Sequence, residues 1–372
     1  MTRITKQIAL LLAVLMPLTV WSQTDDDRRN ERLMATIMSQ NLPLEKRITA
    51  LKKLYSDQVV DGKIHRSFCV WDMLGKSGPI FATVDDQKLR SLHYGLELDV
   101  VAYQKEEELV DDLRSGKCDA ALMSGSRALD FNRFAGTLEA LGAVPDVTHL
   151  QMLMQVVANP KMADKLEGNG YVVLGVASLG ENYAYTNNPQ LRQLTGFSGI
   201  NTAVPSSDPS LKALADNLRA VRQDGEQLAV VQSFASGGAD TMLAPIVAFY
   251  AAGAGQAGAD AGILNYPLSQ STIQLIGRQD RFPTGLAQIL REDFLFKFDF
   301  YVKRVEKERA NLKPGLWRDI ERAEQTRIEQ RMQGLRVALR DKGVYDANML
   351  KLERKVRCKV APERSECTNP VE

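Results

Sequence analysis

The sequence predicts an α/β protein of two lobes, each a mostly parallel sheet flanked by helices, with an extra helical segment at its carboxyl end. Three observations carry that prediction. Short apolar runs alternate with charged helical stretches in two successive sets. The 372 residues are 44% apolar, 25% charged and 7% aromatic, which suffices for more than one core. After the first twenty residues, no apolar run approaches the roughly 20 residues needed to cross a bilayer.

The elements follow in order. Residues 1–22, MTRITKQIALLLAVLMPLTVWS, place Arg3 and Lys6 ahead of an apolar stretch from Ile8 to Val20 that ends at the small residue Ser22. This is the layout of a cleavable secretory signal, with the cut after Ser22. Pro17 interrupts the stretch and argues against an uncleaved anchor, and no cysteine follows the cut to take a lipid. Cleavage leaves the mature chain in an oxidising compartment. Basic and acidic residues nearly balance, 47 against 46, so the chain lacks the field of a nucleic-acid binder and no such partner is expected.

Residues 23–62 read as a helical extension that packs on the first lobe, with Leu44, Ile48, Leu51, Leu54 and Tyr55 at helical spacing after Pro43. Lobe one, residues 63–170, carries FCVWDML (68–74), LELDVVAY (96–103) and CDAALM (118–123) as strands, with FATVDDQKLRSLHYG and EEELVDDLRSG as the helices between them. Lobe two, residues 171–266, carries YVVLGVAS (171–178), a short strand near INTAVP (200–205), the helix SLKALADNLRAVRQDG, a strand LAVV (228–231) and then GGADTMLAP. Between 235 and 262 the chain is dense in Gly and Ala. The extended segment GILNYPLSQSTIQLIG (262–277) leads back, and 267–310 return to lobe one. Residues 311–372 form the C-terminal helices and tail. There the stretch from Trp317 to Lys342 is Arg-rich, as a solvated face or a docking surface.

Four cysteines, Cys69, Cys118, Cys358 and Cys367, allow three pairings. Cys358 and Cys367 stand close together in RCKVAPERSEC, where a local bridge would staple an end without a core of its own. The other two are free or paired. None has zinc-ligand spacing, and only His65, His93 and His149 are available to help, so neither metal nor cofactor is expected.

In open α/β sheets ligands bind beyond the carboxyl ends of the strands. Two places in lobe one meet that rule. The first runs from Trp71 through Asp72, a further candidate ligand group, to Pro79, where free N–H groups with Lys76 and Ser77 suit an anion; its GKS lacks the upstream glycine of a phosphate loop. Trp71 itself is either core or a stacking platform. The second is Ser124, Ser126 and Arg127, where Arg127 either forks onto a carboxylate or phosphate or makes an ordinary salt bridge to Asp130 or Glu139. In lobe two, Ser206, Ser207 and Asp208 precede Pro209 as a helix cap whose N–H groups face a cleft. Asp240, Tyr266, Ser269, Gln270 and Ser271 are polar where the lobes should meet. Enzyme templates are missing: the chain has no GxSxG, HExxH, CxxC or GxGxxG after a strand, and Asp85-Asp86 and Asp111-Asp112 sit on solvated helical segments. No catalytic function is expected.

The segments EELVDDLRSGKCDAALMSGSRAL, GI-N-T-A-V-P before a helix and GGADTMLAP together resemble solute receptors of tripartite ATP-independent periplasmic (TRAP-type) transporters. FCVWDMLGKSGPIF with CDAALMSGSRALDFNRFAGTLEALGA is similar to an uncharacterised proteobacterial family of solute-binding proteins. The resemblance covers about residues 63–310. It implies a periplasmic binding protein of the two-lobed, type II-like class. Such a protein closes on a small polar or anionic solute and hands it, as a monomer, to the membrane permease of a secondary transporter. The fold's strand order 2-1-3 sets strands one and three side by side, which makes a Cys69–Cys118 disulfide feasible. TRAP-type receptors usually carry a carboxylate-clamping arginine where this chain has Asn201-Thr202-Ala203-Val204-Pro205, so Arg127 would have to take that role. The alternative is an envelope adaptor with a vestigial cleft that uses its Arg-rich C-terminal helices.

Overall fold

The protein was analysed as a computed structural model that describes residues 19–251 and 261–372. Most of the signal segment and residues 252–260 of the Gly/Ala stretch therefore lie outside the described residues.

The chain divides into two compact units, residues 1–59 and 60–372. The first holds the helices Thr19–Met38, which runs through the expected cut after Ser22, and Leu44–Leu54. Leu51 and Ile48 are buried as the periodicity predicts, and the Arg47 Nε donates to the Ile37 carbonyl at 2.7 Å, tying the two helices together.

The second unit is built on nine principal strands: β1 (Lys63–Trp71), β2 (Leu96–Tyr103), β3 (Ala120–Ser124), β4 (Tyr171–Thr186), β5 (Asn201–Pro205), β6 (Val221–Gly225), β7 (Thr241–Pro245), β8 (Gly262–Leu264) and β9 (Ser269–Arg278). In lobe one β2, β1 and β3 are parallel, with β1 in the middle, which is the expected 2-1-3 order. β9 adds antiparallel to β3, and β4 antiparallel to β9. In lobe two the far half of β4 pairs antiparallel with β7, and β7, β5 and β6 continue in parallel. The sheet is thus continuous, and β4 and β9 cross from one lobe to the other. YVVLGVAS is only the first half of β4, which runs 16 residues because its second half has a new partner in β7.

One assignment is corrected. The segment LAVV lies inside the helix Gln227–Ala235, where Val230, Val231 and Phe234 face the core. The strand is instead VRQDG, at the end of what reads as one long helix. That helix stops at Asn217, and Arg219 adopts a left-handed backbone with φ 59°. A short apolar run cannot be told from a buried helical face by periodicity alone. An edge strand, for its part, is blunted with charge, here Arg222 and Asp224, so it carries no apolar signal.

The lobe-two core of Phe197, Val204, Leu211, Leu214 and Leu243 takes in Ile328 and Met332 from the helix Arg322–Asp341, so the carboxyl-terminal helices complete that lobe. Their arginines are largely used internally. Arg336 and Arg357 are buried against Glu366 and Glu372, Arg327 pairs with Glu324, and Arg364 with Glu329 and Glu366. Cys358 and Cys367 are bonded, as are Cys69 and Cys118, whose Cα atoms stand 5.9 Å apart at the junction of β1 and β3. No described helix is long and apolar enough to cross a membrane.

Candidate functional site

The parallel strands β1, β3, β5 and β7 deliver their carboxyl ends to one region, and a cleft of about 40 Å³ lined by both polar and apolar side chains lies there. Lobe one contributes Trp71 from the last position of β1, Ser124 from the last position of β3, and Ser126 in the turn that follows. Glu106, the first residue of the helix after β2, joins them. Lobe two contributes Pro205 and Pro245 from the ends of β5 and β7, Ser207 and Asp208 ahead of a helix, and Gln227 at the start of the next. Asn182 and Ser271 come from the crossing strands.

Three carboxyls are held there with their bonds made. Glu106 accepts from the Ser124 N–H at 2.6 Å and from the Ser124 hydroxyl at 3.0 Å. Glu139 accepts through one oxygen from both the amide and the hydroxyl of Thr272 in β9. Gly125 makes room for this, since a Cβ there would stand 2.2 Å from the Thr272 hydroxyl and 2.4 Å from Glu139. Asp208 caps the helix Pro209–Asn217 through the Ser210 and Leu211 amides at 2.8 and 2.9 Å, the cap that the sequence predicts. Burial pushes all three carboxyls upward, and Glu139, which also faces the charge of Asp208, is held well above the ordinary range. No lysine or arginine is among the described residues lining the cleft.

A carboxyl raised by burial keeps its proton in the folded chain after the unfolded chain has released it. Its contribution to stability is present at low pH and is lost as pH rises through the folded value. Glu139→Gln, which keeps an acceptor for Thr272, is therefore expected to stabilise the protein at pH 8 by about 0.5–2 kcal/mol and by less at pH 5. Thermal melts at the two pH values check this; an equal gain at both, or a loss at pH 8, contradicts it.

Of the residues singled out in the sequence, Trp71, Ser124, Ser126, Ser207, Asp208 and Ser271 meet in this cleft, with Trp71 only 5% exposed. The others stand elsewhere. Asp72 is buried and accepts from the Leu74, Ile80 and Phe81 amides at 2.9, 2.7 and 3.1 Å. Its carboxylate thus fills the position that the sequence reading leaves for an external anion, with Gly78 packed so close that any Cβ there would overlap it. Lys76 and Ser77 are exposed on a short turn outside the cleft. Arg127 makes neither expected salt bridge: Asp130 pairs with Arg114 at 3.7 Å, and Glu139 is taken by Thr272. Arg127 also lies outside the cleft lining, its buried Nε without a hydrogen-bond partner among the described residues. Ser206 is tied through its N–H to the Gly225 carbonyl. Asp240 is exposed at the amino end of β7, the wrong end for a ligand. Tyr266 packs against the lobe-two core, and Gln270 donates to the Val144 carbonyl at 3.3 Å as internal bracing.

Glu106, Asn182 and Gln227 are the residues that sequence reading passes over. Glu106 and Gln227 had a usable signal, since each is the first residue of a helix directly after a parallel strand. The EEE run masks Glu106 as a solvated face.

Two lobes sharing two crossing strands, with polar side chains gathered at the carboxyl ends of both parallel sets, define a solute-binding receptor fold. The chain belongs to the solute-binding protein AdeT 1/2 family, whose model matches residues 65–372. It is 29% identical over 302 residues to the probable solute-binding protein AdeT1 of Acinetobacter baumannii, covering 80% of this chain and 98% of the relative. The probable solute-binding protein AdeT2 of the same organism is 20% identical over 233 residues, covering 62% and 98%. Among solved structures, a TRAP periplasmic solute-binding protein from Desulfovibrio salexigens with bound orotic acid superposes with a TM-score of 0.67 at 11% identity, covering 80% of this chain and all of that one. One from Ralstonia eutropha with bound (S)-2-acetolactate gives 0.62 at 15% identity, covering 79% and 99%. The type II-like fold expected from the resemblance is the fold observed.

Proposed function

We propose that this protein is a periplasmic receptor that closes its two lobes on a small polar or anionic solute and delivers it to the permease of a secondary transporter. It is secreted by cleavage after Ser22 and acts as a monomer. The observation that carries the reading is the convergence of side chains from both lobes on one cleft, Trp71, Glu106 and Ser124 from one and Ser207, Asp208 and Gln227 from the other. A ligand touching both sets binds the closed state more tightly than the open one, and that difference is what drives closure. Among the described residues, β4 and β9 are the strands that cross. Each carries an irregularity at the crossing, Gly180 at φ 83° and a register shift between Gln270 and Thr272, and these are the points where a hinge would bend. Among the described residues no histidine lines the cleft, so its serines have no imidazole base beside them of the kind a Ser-His hydrolase uses. The adaptor reading needs a free arginine surface, and the internal pairing of Arg327, Arg336, Arg357 and Arg364 weighs against it.

Native mass spectrometry of the protein purified from periplasmic extract tests the proposal. The expected result is a small-molecule adduct that disappears on denaturation and is depleted in Trp71→Ala. A bare mass, with no thermal shift across carboxylates, sugars, amino acids, amines and phosphates, would refute it.

A further inference from the structure

A larger cavity, about 170 Å³, lies within lobe one between the sheet and the helices Pro79–Asp85, Thr284–Phe296 and Phe298–Ala310. Met73, Ile80, Leu179 and Val247 line both this chamber and the cleft and form the wall between them. The sheet side of the chamber is apolar, built from Phe68, Leu98, Leu122, Ile273 and Leu275. Protein interiors leave few voids larger than a water molecule. An apolar cavity of about 150 Å³ stays dry and takes a guest the size of benzene, so this chamber fits an apolar body of about six to eight carbons.

The helical side carries an excess of hydrogen-bond donors. Asp293 is engaged by Arg90 at 2.8 Å, by Lys297 at 2.6 Å and by the Tyr94 hydroxyl, two cations on one carboxylate. Arg304 donates to the Thr83 hydroxyl and makes no ion pair among the described residues. In the same wall the Tyr301 hydroxyl has no hydrogen-bond partner among the described residues. Two acids complete the lining. Asp72 is held by three backbone amides, and Glu308, one turn beyond Arg304, makes no ion pair with it while burial pushes its carboxyl upward. Exposed rings border this side: Phe296, 76% exposed, lies 5.4 Å from the Arg90 guanidinium, and Phe300, 52% exposed, lies 5.6 Å from the Tyr301 ring. An apolar chamber with a guanidinium and a hydroxyl still free to donate, and apolar surface outside it, is complementary to an amphipathic anion.

We infer that lobe one holds a second site, separate from the solute cleft, for a free single-chain carboxylic acid of medium length, its carboxylate on Arg304 and the Tyr301 hydroxyl and its alkyl body in the chamber. An anionic phospholipid offers the same combination of head and chain, but its two long chains exceed a space of about 170 Å³.

The test is isothermal titration of the full purified chain at pH 7 with octanoate, with octylamine, which has a similar body and the opposite charge, and with propionate, which has the charge and little body. Octanoate is expected to bind about tenfold or more tighter than either control. Arg304→Gln and Val84→Phe, which fills the chamber, should each weaken it about tenfold, whereas Glu308→Gln should tighten it about twofold to threefold. Thermal melts establish that each variant is folded. Val84 and Arg304 lie on different helices, so one folding failure leaves the other readout. Equal or tighter binding of octylamine overturns the inference, as does an octanoate affinity unmoved by a folded Arg304→Gln or Val84→Phe chain, or one weakened by Glu308→Gln as much as by Arg304→Gln. Sedimentation with phosphatidylglycerol vesicles separates the two sources: the protein should stay in the supernatant, and capture by vesicles without octanoate binding overturns the free-acid assignment. Val84, Arg304 and Glu308 do not line the cleft, so a cleft that proves bare leaves this site standing.

Discussion

Replacing Arg357 with Ala is expected to destabilise the protein by about 3–5 kcal/mol, among the largest single-residue effects in the chain. The guanidinium is fully buried and makes four bonds: to both oxygens of Glu366 at 2.8 and 2.7 Å, to Glu372 at 2.8 Å and to the Ala143 carbonyl at 2.7 Å. Removing it leaves two buried carboxylates with less counter-charge, and the cost of an uncompensated buried charge exceeds that of never having had the pair. The urea midpoint should fall with an unchanged slope. The same network sets an acid limit. Arg357 and Arg364 hold the Glu366 carboxyl at about 2, below its ordinary value, against the opposing effect of burial. A depressed carboxyl contributes stability that is complete above its unfolded value and is lost as pH falls from there towards the folded one. Wild type should therefore lose stability between about pH 4.5 and 2, and Arg357→Ala should flatten that limb. A variant within 1 kcal/mol of wild type, or one with the full acid dependence, contradicts the assignment.

The second large effect is expected at the Cys69–Cys118 bridge. Its partners are 49 residues apart, against 9 for Cys358–Cys367. On the loop-closure model the long bridge contributes about 4 kcal/mol and the short one about 3. Cys69 and Cys118 are also nearly or wholly buried in the lobe-one core, so replacement by Ala adds a packing loss that the half-exposed tail bridge does not incur. The Cys69→Ala/Cys118→Ala chain should therefore unfold at clearly lower urea than the Cys358→Ala/Cys367→Ala chain. The reverse order would mean that the tail staple governs global stability.

Much of this molecule was legible in the sequence because most of its strands carry an apolar run or an apolar alternation. LELDVVAY matches β2 residue for residue, and the order of the first three strands brought Cys69 and Cys118 together as the resemblance implied. The failures have physical reasons. β6 has no apolar signal because it lies on a sheet edge, and LAVV is apolar because it is the buried face of a helix. The site was half legible. Position at a strand's carboxyl end picked out Trp71, Ser124, Ser126 and Ser207, but composition alone favoured Lys76, Arg127 and Asp240 as ligand groups. Long charged side chains can turn away from a cleft, and a carboxylate such as Asp72 can satisfy a helix end before any ligand reaches it. Glu106 went unnoticed, and Glu139 was read only as a salt-bridge partner for Arg127, because a buried carboxyl bonded to backbone looks, in sequence, like any surface acid.

The central claim is that the cleft closes on a solute. Small-angle X-ray scattering of the purified protein, with and without the solute found by mass spectrometry, tests it most directly. The account predicts a smaller radius of gyration with solute, and no change in a Trp71→Ala/Glu106→Gln chain that no longer binds. Saturating solute with an unchanged scattering profile in the wild-type chain would contradict it.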